Sequence, residues 1–156
     1  MGRRSVVVRF QRQTMIPLAP PVAFDLSLSI DAHVGSFAES GERATAGVTS
    51  GIIGLGQFVT WQARHFGITW TMTSVITEWE RPERFVDEQR SGPFKSFWHE
   101  HRFTATDDGT VLDDDVRFEA PLGPLGRIAE ALVLRRYMQH LIDVRNEFLV
   151  TEAARR

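Results

Sequence analysis

The stretch that most constrains this chain is its C-terminal run, Pro124 to about Glu152, which reads as a single helix, well beyond the roughly 11–12-residue mean of globular proteins. Leu125, Ile128, Leu132, Met138, Leu141, Ile142, Phe148 and Leu149 recur at three- and four-residue steps, and Arg127, Arg135, Arg136, Arg145 and Glu147 fill the rest of the arc. Such a stripe must be buried. Nothing else in the chain reads as helix at that length, and most of what precedes it reads as strand, so the partner is one face of a sheet. One long helix laid across a sheet leaves a hollow beneath it.

The strands follow from alternation. Val6, Val8 and Phe10 alternate with Arg9, Gln11 and Gln13, the two-residue period of a half-buried strand over residues 5–15. Pro17, Pro20 and Pro21 stop it, and Pro21 starts a short helix carrying Val22, Phe24 and Leu26. Ser29 or Asp31 caps a second short helix, about Asp31 to Phe37, that holds His33. Further strands are expected over 42–50, 57–66, 68–80, 84–90, 95–106 and 111–120, with Gly67, Ser91-Gly92-Pro93 and Asp108-Gly109 as turns. The order is strand, two short helices, six strands, long helix. No repeat or linker divides it, which predicts one domain over residues 1–156.

Composition excludes several functions. A net charge of -2 gives no basic excess for a nucleic-acid surface. The absence of cysteine removes disulfides, thiol catalysis and cysteine-ligated metals, and suits a reducing compartment. Val6 to Val8 is too short an apolar run for a signal peptide, and no segment approaches the apolar length of a membrane span, so the expected location is cytoplasmic. Gly51-Ile52-Ile53-Gly54-Leu55-Gly56 lacks the Gly-Lys-Ser of a phosphate loop and leads into a strand, so no nucleotide site is read there.

Parity decides which side chains look toward the helix, because only one face of each strand meets it. Over 68–80 the even residues Trp70, Met72, Ser74 and Ile76 point inward, while Thr69, Thr71, Thr73 and Thr77 face solvent. Phe85 brings Asp87 and Gln89 inward, Phe97 and Phe103 bring His99 and His101, and Leu112, Val116 and Phe118 bring Asp114. Trp61, Ala63 and His65 form the inward set of the third strand. With Asp108-Gly109 as a two-residue turn, His101 lies opposite Val116 and diagonal to Asp114. A carboxylate in apolar surroundings is costly unless paired, so each inward Asp calls for a donor such as His99 or His101.

Three readings of this set stand side by side. It is a buried network fixing strand register, a polar end of an apolar pocket that orients a ligand or moves protons, or a metal site in which His99 and His101 project toward one ion with Asp87 or Asp114. The expectation is neither metal nor cofactor, and at least one histidine raised above its ordinary pKa by its carboxylate neighbour. His33 and His140 read as surface histidines. Trp79 and Trp98 have outward or edge parity, which suits sheet packing or a homodimer face.

With these elements in order, the chain resembles the SRPBCC superfamily, also called START-like or birch-pollen-allergen-like, and within it a bacterial polyketide cyclase or lipid-transport branch. The resemblance is carried by Ile53-Gly54-Leu55-Gly56, Trp61-Gln62-Ala63-Arg64-His65-Phe66-Gly67, Pro82 through Glu88, Gly92-Pro93-Phe94, His99-Glu100-His101-Arg102-Phe103 and Pro121-Leu122-Gly123-Pro124-Leu125-Gly126. It implies an α+β helix-grip fold: a curved, seven-stranded antiparallel sheet wrapped around the C-terminal helix, with two short helices between strands one and two. It also implies a cavity for a small hydrophobic or aromatic molecule, lipid-like or polyketide-like. The residues expected to bind it are Trp61, His65, Trp70, Met72, Ile76, Asp87, Gln89, Phe97, His99, His101, Phe103, Asp114, Phe118, Leu132 and Met138. The other function in view is a cyclase or dehydratase using an inward His/Asp pair as general acid and base.

Overall fold

Alternating strands of this kind cannot stand alone, and in the computed structural model, which describes residues 6–120 and 127–156, they close edge to edge into one sheet. The strands are β1 (Val7–Ile16), β2 (Arg43–Gly47), β3 (Phe58–His65), β4 (Ile68–Glu80), β5 (Arg84–Ser91), β6 (Ser96–Thr106) and β7 (Gly109–Glu119). Among the described residues the sheet has seven strands in the order β1-β7-β6-β5-β4-β3-β2, every pair antiparallel. Two short helices, α1 (Pro20–Ser27) and α2 (Ile30–Ser36), separate β1 from β2, and α3 (Arg127–Ala154) follows the last strand. This is the α+β helix-grip arrangement expected from the sequence. The expected start of the long helix at Pro124 lies outside the described residues.

Local chemistry accounts for the breaks. Pro20 and Pro21 occupy the first turn of α1, where a missing N–H costs nothing. Ser29 caps α2, its hydroxyl accepting from the Ala32 N–H at 3.1 Å, while Asp31 accepts from the Gly51 N–H at 2.9 Å and ties the loop before β3 to the helix. The β3–β4 hairpin turns on Phe66 and Gly67, both with positive φ (53° and 73°), so the turn takes two residues and places an aromatic one in a left-handed position.

Two corrections concern register. The β6–β7 hairpin turns on Asp107-Asp108, with Thr106 paired to Gly109, so His101 sits directly opposite Asp114 and not opposite Val116. Gly109 has φ 144°, and a Cβ there would lie 2.3 Å from the Ile16 carbonyl oxygen, so the glycine serves the packing of β7 against the end of β1. In β4 the pairing shifts between Ile76 and Glu78, which sets Trp79 opposite Phe85. Trp79 thus meets Phe24 edge-on at 5.8 Å in place of the outward position that simple alternation gives.

The core forms two apolar clusters. One gathers Ile16, Phe24, Leu26, Phe85, Phe103, Leu112 and Leu149 beneath α1 and α2, and the other gathers Val8, Phe10, Phe97, Val116, Phe118, Ala131 and Ile142. The inner row of β6 passes from Phe97 through His99 and His101 to Phe103, and α3 passes from Ile142 through Arg145 and Asn146 to Leu149. A polar layer therefore separates the clusters at one level of the sheet.

Candidate functional site

Between β3–β6 and α3 lies a cavity of about 310 Å³. Ten of the residues expected to line it do so: Trp61, His65, Trp70, Met72, Ile76, Asp87, Phe97, His99, His101 and Met138. Five do not. Phe103 and Phe118 are buried in the two core clusters, Asp114 lies behind the histidines, and Gln89 is engaged in the β5–β6 turn, donating to the Phe94 carbonyl at 2.7 Å. Leu132 is 52% exposed. The buried side of α3 runs through Ala131, Ile142, Arg145, Asn146, Leu149 and Ala153, which turns Leu132 outward and brings Arg145, assigned by sequence to the solvent arc, to 5% exposure.

The polar layer is held by four strands and the helix. Asp114 is buried on β7, and its two oxygens accept from His99 Nε2 and from Asn146 Nδ2, each at 2.7 Å. Asn146 also donates to the Thr14 hydroxyl at 3.0 Å. One strand over, His101 Nε2 donates to Asp87 Oδ2 at 2.6 Å, and His99 Nδ1 lies 3.8 Å from the same oxygen. The two imidazoles stack with ring centres 3.7 Å apart, and Phe85 stacks on the outer face of His101 at 4.1 Å. His101 Nδ1 is buried 3.3 Å from Asp114 Oδ1, yet out of line for a hydrogen bond and without a partner among the described residues. Arg145 Nη1 stands 3.7 Å from Asp114 Oδ1, and its guanidinium donates to Asn146 and to the Ser27 carbonyl.

Burial works to raise both carboxyl groups, but the two histidines outweigh it, holding Asp114 well below the usual carboxylate range and Asp87 below it. Burial pushes the His99 imidazole down, with the neighbouring His101 acting the same way, and the two carboxylates do not reverse this. His99 is therefore not the histidine that the expectation of at least one raised imidazole calls for: there desolvation wins. A neutral His99 that donates through Nε2 keeps a bare Nδ1 on the Asp87 side.

Asp87, His99 and His101 also offer ligand atoms within 4.8 Å of one another. Two ligands of a tetrahedral zinc ion stand about 3.3 Å apart at bonds of about 2.0–2.1 Å. Asp87 and His101, at 2.6 Å, hold a proton at hydrogen-bonding distance and would have to part to admit an ion.

Sequence reasoning missed the opposite wall. His33, read as a surface residue, lines the cavity, stacked on Trp61 at 4.2 Å and bonded through Nε2 to Glu42 at 3.2 Å. Tyr137 reaches from α3 to His65 Nδ1 and packs under Phe66 at 4.6 Å, bridging the helix to the β3–β4 hairpin. Tyr137, Met138 and Leu141 follow Leu134 at the three- and four-residue steps that also run through Ile142, Arg145 and Leu149. The helical period thus carried the signal for Tyr137 and Arg145.

Residues 7–154 match the family described as polyketide cyclase / dehydrase and lipid transport. The chain belongs to that family. The match agrees with the SRPBCC resemblance carried by the sequence. Among solved structures, the ZhuI aromatase/cyclase from Streptomyces sp. R1128 is similar at a TM-score of 0.73 and 15% identity, over 97% of this chain and 96% of that one. The protein TTHA0849 from Thermus thermophilus is similar at 0.70 and 18%, over 94% and 99%, and Ara h 8.0201 at 0.63 and 14%, over 94% and 99%. At these identities the likeness establishes the fold alone. No curated protein matches the chain in sequence. None of the described helices is long and apolar enough to cross a membrane.

Proposed function

We propose that the protein binds one small, mostly apolar molecule, lipid-like or aromatic and polyketide-like, between the sheet and α3. The observation that carries this reading is the cavity itself, walled by Trp61, Trp70, Met72, Ile76, Phe97 and Met138, with its polar groups confined to few places. Apolar walls supply affinity and a small number of placed polar groups supply orientation. A neutral fluorescent probe, N-phenyl-1-naphthylamine, should bind at one site with micromolar affinity and be displaced by fatty acids or by anthraquinone. Ala63, buried on the cavity floor, gives the control: Ala63→Phe should abolish binding while the fold is retained. A wild-type protein that leaves the probe unbound sinks the proposal.

A second reading, a cyclase or dehydratase, is favoured by the His101–Asp87 contact at 2.6 Å on the cavity wall. His101 holds Asp87 ionised and in place, and the half-buried Asp87 carboxylate exchanges a proton with an acidic C–H or a hydroxyl of the bound molecule. Deuterium exchange at the central carbon of a bound 1,3-diketone, fast in wild type and slow in His101→Gln, checks it. Equal rates in the two proteins leave ligand binding as the function.

A further inference from the structure

The polar layer on β5–β7 is not the cavity's one polar feature. Glu42, at the entrance to β2, lines the cavity on the far side of the sheet, its side chain only 11% exposed. Among the described residues its carboxylate has one hydrogen-bond partner, His33 Nε2 at 3.2 Å, and its second oxygen accepts from no protein donor. His33 is itself clamped, stacked on Trp61 at 4.2 Å and set edge-on to Phe37 at 5.0 Å. Across the cavity mouth, burial and the Glu42 charge raise the Tyr137 hydroxyl, so the phenol stays protonated beside His65. A largely buried carboxylate with half its acceptor capacity unused is costly, and the cost falls when a donor arrives from the cavity.

We propose that the Glu42–His33 pair is a second ligand-binding point, which accepts a hydrogen bond from an aromatic hydroxyl or amine on the bound molecule. Trp61 stacks on His33 and Phe37 meets it edge-on, so the acceptor's partner is set among aromatic rings, which suits a donor borne on a flat ring rather than on an alkyl chain. Trp61 lies on β3 and His99 and His101 on β6, three strands away, about 14 Å at the usual strand spacing. The ligand is therefore an elongated aromatic molecule with polar groups at both ends: a donor toward Glu42, and a second polar group toward Asp87 and Arg145. This inference rests on the cavity-binding proposal and narrows its ligand class.

Stilbene, 4-methoxystilbene, 4-hydroxystilbene and 4-aminostilbene test it by fluorescence titration, because methoxy keeps the oxygen and removes the donor. Wild-type protein should prefer the hydroxy and amino compounds over the methoxy compound by about tenfold, the scale of one charge-assisted hydrogen bond. Glu42→Gln should shrink that preference to about twofold while plain stilbene binds as before, and the unchanged stilbene affinity certifies the fold. Glu42→Asp, which shortens the reach and keeps the charge, serves where the glutamine variant is unstable. A wild-type protein without the preference, or a preference untouched in both variants, overturns the inference and leaves cavity binding intact. If none of the four compounds binds, this inference falls, and the N-phenyl-1-naphthylamine titration decides whether the cavity reading falls with it.

Discussion

Asp114 is the residue whose loss should be felt most sharply. It is 1% exposed, accepts at 2.7 Å from both His99 and Asn146, and is the nearest carboxylate to the buried Arg145 guanidinium at 3.7 Å. Asp114→Leu keeps the branching and opens no cavity, but its methyl groups are bulkier than the carboxylate oxygens, it strands two buried donors and it leaves Arg145 without its nearest anion. Breaking a buried charged network from one side costs about 3–5 kcal/mol, which for a domain of this length lowers Tm by roughly 10 °C. Asp114→Asn should cost less, about 1–2 kcal/mol, because an amide re-satisfies the site. Its oxygen accepts from Asn146, and its NH2 donates to His99 Nε2 once the His99 proton has moved to Nδ1. Urea titration reads the cost as a shift of midpoint at unchanged slope, and nitrogen NMR of the imidazole reads the tautomer. A leucine variant within about 1 kcal/mol of wild type, or an asparagine variant that keeps the proton on Nε2, refutes the reasoning.

Two further outcomes follow from the same geometry. His99 is held below the unfolded value of about 6.5, so under mild acid the unfolded chain takes a proton that the folded chain refuses. Stability should be level above pH 7, fall as pH drops below about 6.5, and fall again below about 3.9 as the lowered Asp87 and Asp114 protonate; in His99→Gln the first decline should flatten, and a urea midpoint constant between pH 7.5 and 5 in wild type contradicts this. Gly109→Ala should cost about 2–4 kcal/mol by thermal denaturation, since its Cβ meets the Ile16 carbonyl at 2.3 Å, whereas Gly51→Ala, with positive φ but open space, should cost about 1 kcal/mol; equal losses remove the steric part of the argument.

Strand faces were legible in the sequence where strand partners were not, and the β6–β7 hairpin shows why. Moving a two-residue turn by one position slides the register by two, and two is the period of side-chain direction. His99, His101 and Asp114 therefore kept their inward faces although the turn lies at Asp107-Asp108, while the partner of His101 changed from Val116 to Asp114. A bulge has the opposite effect. The shift after Ile76 alters the alternation itself, and Trp79, placed outward by counting, meets Phe24. On α3, charge misled where period did not: an arginine reads as solvent-facing by type, but Arg145 stands one turn from Leu149 and Ile142, and a buried carboxylate within reach makes its burial tolerable. His33 and Glu42 carried no such periodic signal. They become cavity residues only because α2 is carried over β3, a tertiary fact that neither short segment records.

The hollow follows from where α3 is seated. Its backbone packs against β1 at one edge of the sheet and against α1 and α2, so the helix does not lie over the middle of the curve. Near the seated edge the two core clusters fill the gap with Phe10, Val116, Phe118, Leu112 and Leu149. Toward β3 and β4 the sheet curls up while the helix stays back, and side chains alone span the difference, Tyr137 to His65 and Phe66 over Tyr137. Interiors elsewhere close to crystal-like density, so an opening of about 310 Å³ persists only where backbone geometry forbids collapse. The same seating accounts for the polar layer. Asp114, on the strand next to β1 where the helix is seated, is locked to it by the Asn146 hydrogen bond, while His101 and Asp87, one and two strands further out, reach the cavity wall. One network thus has a buried end that fixes the helix on the sheet and a half-buried end, Asp87, available to a ligand. Substitutions at Asp114 should therefore register first in stability, and those at Asp87 first in binding.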